Sequence, residues 1–345
     1  MAYSRKASET SNSSSASNVD WEGFNAHLVE TIGKARSRLA RVVGIGDLGK
    51  QPRPNFKEKY DATNPKHIAA IKDKGATVQI GEYYADNKKQ NGEYISIPMT
   101  ANDQVSILVD FPEVMINYGK FFDDSGEDRF LPYRTPVMGE WWDKSLGEKG
   151  MMVAKGIGLS CVPNKKAASG WGYSPNNTIA KLAMNCVDKD GNPIYTGEAV
   201  DQDFDIGELM GGICTYTLGA VLHESGGKKY FNQTLKDCAP KHEAIPVPDV
   251  PLELFGLSYE GGNDVKALEA FSKFNPIMNT LTLGENYDKS GLKADFDAYF
   301  KSLGSNSTSG GEGSASPSAS TGEKAATSVD EFDDADGDDD MSMFD

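Results

Sequence analysis

The most restrictive feature of this sequence is its last segment, residues 329–345, which reads VDEFDDADGDDDMSMFD. It holds nine acidic residues and no Lys or Arg, and it ends in a small apolar tip formed by Met341, Met343 and Phe344. A run of like charges with so few apolar residues buries too little surface to fold. The sequence therefore predicts a disordered acidic tail and confines any fold to the residues before it. A purely solubilising tail would need no such tip, which is typical of a short anchor for a partner protein.

Two further segments are predicted to be disordered, a Ser-rich arm at residues 1–18 and a flexible Ser/Gly linker at residues 304–328. The predicted folded domain is therefore residues 19–303, which is long enough to bury a real core. No apolar run approaches the roughly 18 residues of a transmembrane helix, and no signal peptide is recognisable. The four cysteines are widely spaced, which indicates reduced thiols and a cytoplasmic protein.

Charge is distributed unevenly along the chain. The net charge is -16, and residues 304–345 account for -10 of it with eleven acids and one base. Residues 34–89 hold thirteen bases and six acids. A basic early segment opposed by an acidic tail favours a nucleic-acid binder whose tail competes for the same surface.

Hydrophobic periodicity predicts a mainly β protein with peripheral helices (α+β). The predicted strands are residues 40–48, 75–97 with a turn at 87–92, 104–111 ended by Pro112, and a hairpin of 213–223 and 228–236. The predicted helices are residues 20–39 capped by Asp20, 67–72, a helix opened by Ser174 and Pro175, a turn at 206–209, 264–274, and 289–303 capped by Gly304.

One glycine loop imitates a nucleotide-binding motif. Gly44, Gly46 and Gly49 match GxGxxG, and residues 44–50 match GxxxxGK. Both motifs need a helix that starts at the loop, whereas Pro52 and Pro54 follow here and prevent one. The glycines instead indicate a bent strand or a β-bulge.

Aromatic residues interleaved with cations suit single-strand binding, because bases stack on rings while phosphates pair with cations. A core role is the alternative for each ring. The candidate residues are Arg53, Lys57, Lys59, Tyr84, Lys88, Lys89, Tyr133, Arg134, Lys165, Lys166, Trp171, Tyr173, Lys228, Lys229 and Tyr230. Tyr133, Trp171 and Tyr173 are the preferred rings among them.

Catalytic and metal-binding patterns are weak. Asp201, Asp203 and Asp205 alternate as in some metal nucleases, yet an exposed acidic loop explains them more simply. Cys238 and His242 have ligand-like spacing without a second pair. We therefore predict a non-enzymatic protein without metal or cofactor.

Residues 174–240 resemble the single-stranded DNA-binding proteins of tailed bacteriophages. The resemblance rests on FDIGELMGGIC at residues 204–214 followed by a strand-turn-strand, on DLG at 47–49 and on VSILVDFPE at 105–113. It implies an OB-like five-stranded barrel with insertions, the longest of them between Lys50 and Gln104.

The resemblance also implies a function. It implies coating of single-stranded DNA during phage replication, recombination and repair in the host cytoplasm. The acidic tail is similar to tails of replication proteins that recruit DNA polymerase and helicase-primase. The predicted partner-binding residues are Asp338, Asp339, Asp340, Met343, Phe344 and Asp345. A homo-oligomer is possible, and an acidic-tailed scaffold or chaperone without nucleic-acid binding is the alternative.

Overall fold

A computed structural model describes residues 20–53, 55–85, 88–122, 127–137, 156–225, 228–242 and 245–306. The predicted arm at 1–18, the tail at 329–345 and nearly all of the predicted linker at 304–328 lie outside these residues. The chain divides into two units, Met1–Ser302 and Leu303–Asp345. Of the second unit, the structure describes only the helical end at residues 303–306.

The described residues form twelve strands and seven α-helices. The strands are β1 (Arg36–Gln51), β2 (Phe56–Lys59), β3 (Thr77–Ala85), β4 (Lys88–Ile97), β5 (Asn102–Asn117), β6 (Phe130–Val137), β7 (Ile157–Gly158), β8 (Val162–Pro163), β9 (Trp171–Gly172), β10 (Ile213–Ser225), β11 (Lys228–Ala239) and β12 (Phe255–Leu257). The helices are α1 (Trp21–Ile32), α2 (Pro65–Lys74), α3 (Gly119–Phe122), α4 (Thr178–Asn185), α5 (Val265–Ser272), α6 (Asn275–Leu281) and α7 (Gly291–Asn306). The prediction of a mainly β protein with several helices is confirmed.

The main sheet has the strand order β11-β10-β1-β5-β6, with every neighbouring pair antiparallel. Within the described residues, no backbone pairing joins the two edge strands, so the sheet is open rather than a closed barrel. Side chains nevertheless connect these edges. The Tyr133 hydroxyl donates to Oε1 of Gln233, and Nε2 of Gln233 donates to Oγ1 of Thr135 at 2.9 Å. The sheet therefore curls until its edges meet through a side-chain seam.

Each face of this sheet carries its own core. Ile107 and Val109 of β5 belong to a cluster that includes residues of α1 and α4, whereas Leu108 between them belongs to a second cluster. The second cluster is built from β12, α5, α6 and α7, with Phe271 at its centre and fully buried. Residues 255–296 thus form a C-terminal layer over the outer face of β1 and β5.

A buried ion pair lies on the face that this layer covers. Arg41 of β1 and Asp110 of β5 are directly opposite in register. Nε and Nη2 of Arg41 contact the two carboxylate oxygens at 2.9 and 2.7 Å. Nη1 of Arg41 also donates to the carbonyl of Val250 at 2.8 Å. The pair therefore ties two central strands to the connection that leads into the C-terminal layer.

The glycine segment is a bulged strand, as the sequence predicted. The pairing of β1 with β5 shifts register between Val42 and Gly44 and again between Asp47 and Lys50. A Cβ atom added at Gly46 would lie 2.8 Å from Cε1 of Phe271. The glycine therefore allows the buried ring to pack directly against the strand backbone.

We expect Gly46→Ala to lower the free energy of unfolding by about 1–3 kcal/mol, because the added methyl group overpacks a rigid core. Gly256→Ala is the matched control. Gly256 lies on β12, opposite Ile45 of β1, and a Cβ added there would meet no atom within 4 Å. Urea denaturation of both variants measures the difference. Equal stability of the two variants would contradict the packing argument.

The segment between β1 and β5, predicted as an insertion, forms a small sheet of its own in the order β2-β4-β3. Helix α2 packs on one face through Ala70, near Ile95 of β4. Nε2 of His67 on the same helix contacts Oε1 of Glu58 on β2 at 3.1 Å. The predicted helix and both predicted strand segments of this region are confirmed.

Several predicted boundaries are wrong. Helix α1 ends at Ile32 instead of Leu39, because Gly33 takes a left-handed conformation with φ of 68° and the chain then enters β1. Pro112 does not end β5, since a bulge between Phe111 and Met115 accommodates it.

Helix α4 is capped by Asn177 instead of Ser174, whose carbonyl closes a preceding turn. Helix α7 begins at Gly291 and continues past Gly304 to Asn306.

Candidate nucleic-acid interface

The candidate residues fall at four separate places in the main unit. The first is the small sheet with Lys57, Lys59, Tyr84, Lys88 and Lys89, and Arg53 lies just before it. The second is edge strand β6 with Tyr133 and Arg134, and the third is the β8–β9 segment with Lys165, Lys166, Trp171 and Tyr173. The fourth is the β10–β11 hairpin with Lys228, Lys229 and Tyr230. The six tail candidates, Asp338, Asp339, Asp340, Met343, Phe344 and Asp345, lie outside the described residues.

Strand register separates the charges of the small sheet onto two faces. One face carries Lys57, Lys59, Thr77, Gln79, Tyr83, Gln90, Tyr94 and Ser96, and we call it the lysine face. The three acidic residues of these strands, Glu58, Glu82 and Glu93, all occupy positions of the opposite face. Because side chains alternate along a strand, the lysine face has no carboxylate at any of its strand positions.

Two tyrosine rings pack beneath the cations of the lysine face. Nζ of Lys57 lies 5.3 Å from the ring centroid of Tyr94, a cation–π contact. The rings of Tyr83 and Tyr94 are 5.4 Å apart, and both are buried. Their hydroxyls donate to Gln90 and Gln79. The rings therefore position Lys57, while Lys59 is exposed to solvent.

Lys89 lies on the opposite face, where its Nζ contacts Oε2 of Glu82 at 2.8 Å. Both side chains of this ion pair are more than half exposed. Tyr84 is opposite Lys89 in backbone register, and Lys88 is opposite Ala85. The side chains of Tyr84 and Lys88 lie outside the described residues. The structure thus divides the candidates of this sheet between its two faces.

Two of the three preferred rings are buried. Tyr133 packs between Phe111 and Phe231, with ring centroids 6.3 Å away in both cases. Tyr173 is 4% exposed, and burial raises its pKa to about 12. In this conformation neither ring is accessible to a base, and both have the core role that was the alternative.

Arg134 lies opposite Asp110 on the outer face of the main sheet. Its guanidinium group is 4.4 Å from the ring centroid of Phe255, and burial lowers its pKa. Its Nε atom makes no hydrogen bond within the described part of the chain. Arg134 therefore contributes mainly to the packing of the C-terminal layer.

Trp171 is the preferred ring that is accessible, with 48% of its surface exposed. It pairs with Pro163, and Lys165 and Lys166 follow in the connecting turn, where both are exposed. The surroundings carry both signs of charge, since Nζ of Lys166 lies 3.9 Å from Oε2 of Glu198. This ring and its two cations can offer one stacking position.

The β10–β11 hairpin carries an exposed Lys229 and a half-buried Tyr230. The described part of this hairpin extends beyond the N-terminal end of β1, because Arg36 is opposite Leu218 and β10 continues to Ser225. The small sheet instead follows the C-terminal end of β1. The two basic places thus flank opposite ends of the same central strand. The side chain of Lys228 lies outside the described residues.

Five described aromatic residues that are more than a third exposed were absent from the candidates: Trp21, Phe56, Phe122, Phe130 and Phe300. The ring centroids of Trp21 and Phe122 are 5.5 Å apart. Trp21 continues the apolar spacing of Phe24, Leu28 and Ile32 on α1, all three of which are buried. Its place in the first turn of the helix, just after the Asp20 cap, is the sequence signal that favours exposure.

The acidic candidates for a metal site hold backbone turns. Asp201 accepts hydrogen bonds from the amides of Ser169 and Asp203 at 2.7 and 3.1 Å, and Asp205 caps the 3-10 turn at Ile206–Leu209. Within the described residues, no group of three or more His, Cys, Asp or Glu side chains is arranged to hold a metal ion. These acids are therefore explained by local structure.

Comparisons with known proteins give no relative. No protein-family model, curated protein or solved structure matches the chain. Among the described helices, none is long and apolar enough to cross a membrane.

Proposed function

We propose that this protein binds single-stranded DNA with little sequence preference. The observation that carries the proposal is the lysine face, a cationic strand surface whose positions include no acidic residue. Cations without competing carboxylates attract a phosphate backbone whatever its base sequence. The exposed Trp171 beside Lys165 and Lys166 adds a ring on which a base can stack.

The order of the strands supports an OB-like fold as part of this proposal. When β1, β5, β6, β10 and β11 are counted as strands one to five, strand one lies between strands two and four. The side-chain seam then joins strands three and five. OB folds are partly open five-stranded barrels that bind oligonucleotides with the connections between strands one and two and between strands four and five. Here those connections are the small sheet and the hairpin with Lys229.

Binding to fluorescent oligonucleotides tests the proposal. A single-stranded 30-mer and its duplex are titrated with the full chain at salt concentrations from 50 to 300 mM. We expect the single strand to bind at least about tenfold more tightly, with an affinity that falls linearly on a log–log plot against salt. Absent binding, or equal binding of the two forms, would refute the function.

A protein-interaction module is the second candidate, and exposed apolar residues favour it. Ile80 on the face opposite the lysine face is 84% exposed, and Val78 and Ile68 are exposed as well. Exposed apolar side chains of this kind are found on surfaces that bind another protein. This candidate predicts no affinity for the single-stranded oligonucleotide.

The acidic tail is proposed to recruit replication proteins such as DNA polymerase and helicase-primase, and to compete with DNA. Deleting residues 329–345 is expected to tighten single-strand binding several-fold at about 50 mM salt, because nine competing negative charges are lost. Anisotropy measures the affinity, and a Phe344→Ala variant with full charge serves as the control. Weaker DNA binding after the deletion would contradict the competition.

A further inference from the structure

Three of the four cysteines meet where α4, β10 and β11 come together. Cys186 follows α4, Cys214 is on β10 and Cys238 is on β11. The thiol of Cys214 lies close enough to those of Cys186 and Cys238 for both to raise its pKa. Cys186 and Cys214 belong to the same core cluster, and Cys238 packs against it. Cys186 and Cys214 are fully buried, whereas Cys238 is partly exposed. The three sulfur atoms therefore form a chain that leads from the surface to the core.

The backbone around the inner two thiols suits a disulfide. Val187 and Ile213 form an antiparallel bridge and exchange both backbone hydrogen bonds, at 2.9 and 2.8 Å. The next pair in this register is Cys186 and Cys214, so they occupy a non-hydrogen-bonded position. Residues opposite each other at such a position have Cα atoms about 4.5 Å apart, within the range of about 4.4–6.8 Å that disulfides require.

The outer thiol is the most reactive of the three. Cys238 lies at the β10–β11 bulge, and its Sγ is 3.8 Å from the carbonyl oxygen of Lys181. Hydrogen bonding from Cys214 lowers the pKa of Cys238, and the positive charge of Lys181 acts in the same direction. The interactions with Cys186 and Cys238 instead raise the pKa of Cys214. Cys238 is thus more acidic than Cys214, and it is the partly exposed member of the three.

We propose that Cys238, Cys214 and Cys186 form a thiol relay that reacts with peroxides and ends as a Cys186–Cys214 disulfide. The thiolate of Cys238 attacks one oxygen of hydrogen peroxide, and the O–O bond breaks. Hydroxide departs as the leaving group, and Cys238 becomes a sulfenic acid. The thiol of Cys214 then attacks that sulfur and releases water, forming a Cys214–Cys238 disulfide.

The last step is thiol–disulfide exchange. The Cys186 thiolate attacks the sulfur of Cys214, and Cys238 leaves as a thiolate. In total two thiols lose two electrons and two protons, and one peroxide becomes two waters. The product links the end of α4 to β10 at the strand-like position just described, and it returns Cys238 to its reduced form.

Peptide mapping of the peroxide-treated full chain tests the relay. Free thiols are alkylated, and mass spectrometry follows the peptide that joins Cys186 to Cys214. We expect this disulfide in the wild type and at least about tenfold slower formation in Cys238→Ser. Cys161→Ser is the matched control, because Cys161 lies outside the cluster and burial raises its pKa; it should not change the rate.

A measurement on the unmodified wild type avoids dependence on the variants. In the reduced protein, monobromobimane should label Cys238 before Cys161, Cys186 and Cys214. Absence of the Cys186–Cys214 disulfide, an unchanged rate in Cys238→Ser, or equally fast labelling of the two buried thiols would each overturn the relay.

Discussion

Replacing Arg41 by methionine is expected to lower the free energy of unfolding by about 3–5 kcal/mol, the typical cost of leaving one member of a buried ion pair unpaired. Arg41 and Asp110 are 3% and 2% exposed, and their contact is bidentate. Without Arg41, the carboxylate of Asp110 remains buried without that partner. The carbonyl of Val250 also loses the hydrogen bond that Arg41 donates. Guanidinium denaturation with two spectroscopic probes measures the loss.

Two further variants separate burial from charge. Lys273→Ala removes an ion pair with Glu269 of the same 2.7 Å length on the exposed surface of α5, and it should cost less than about 0.5 kcal/mol. The double variant Arg41→Met with Asp110→Val removes both buried charges and should recover most of the stability lost in the single variant. A loss below about 1 kcal/mol in Arg41→Met would show that Arg134, which lies opposite Asp110 on β6, or water compensates the carboxylate.

The largest functional effect is expected from the lysine face. The double variant Lys57→Ala with Lys59→Ala should weaken binding to a single-stranded oligonucleotide about tenfold or more at about 50 mM salt. The slope of log affinity against log salt should fall in magnitude by about 1.4, since each phosphate contact to a single strand contributes about 0.7. Fluorescence anisotropy across the salt series gives both quantities.

The control is a second double variant that changes the net charge by the same amount. Lys266→Ala with Lys273→Ala removes two exposed cations from α5 in the C-terminal layer, where they pair with Glu253 and Glu269. Its affinity for DNA should stay within about twofold of the wild type. Equal losses in both double variants would mean that net charge, and not the lysine face, governs binding. Thermal melting of each variant confirms that the fold is retained.

Local sequence signals predicted the elements whose causes are local. The β10–β11 hairpin follows from two alternating segments around Gly226 and Gly227, and α2 is capped by Asn64 with Pro65 at its first position. The end of β5 could not be predicted in this way. A proline normally ends a strand, but here Pro112 is one of the extra residues of a bulge in β5 between Phe111 and Met115, and the strand continues beyond it.

The candidate site was harder to predict, because an aromatic residue has the same local sequence whether it faces a core or solvent. Tyr133 and Tyr173 are buried by distant segments such as the strand with Phe231. The lysine face was not predicted either, because residues 56–59 were not among the predicted strands, whereas Phe56–Lys59 form β2. Only once these residues form a strand does the alternation of Lys57, Glu58 and Lys59 separate the cations from the acid.

The C-terminal layer has a consequence for how the chain is made. Strand β1 is synthesised early, yet the residues that cover its outer face, including Phe271 and Phe296, emerge more than 200 residues later. Until then Val43 and Leu108 lack their packing partners. A nascent chain must therefore keep an apolar sheet surface out of contact with other chains for most of its synthesis, which takes on the order of 10 to 70 seconds at typical ribosome speeds.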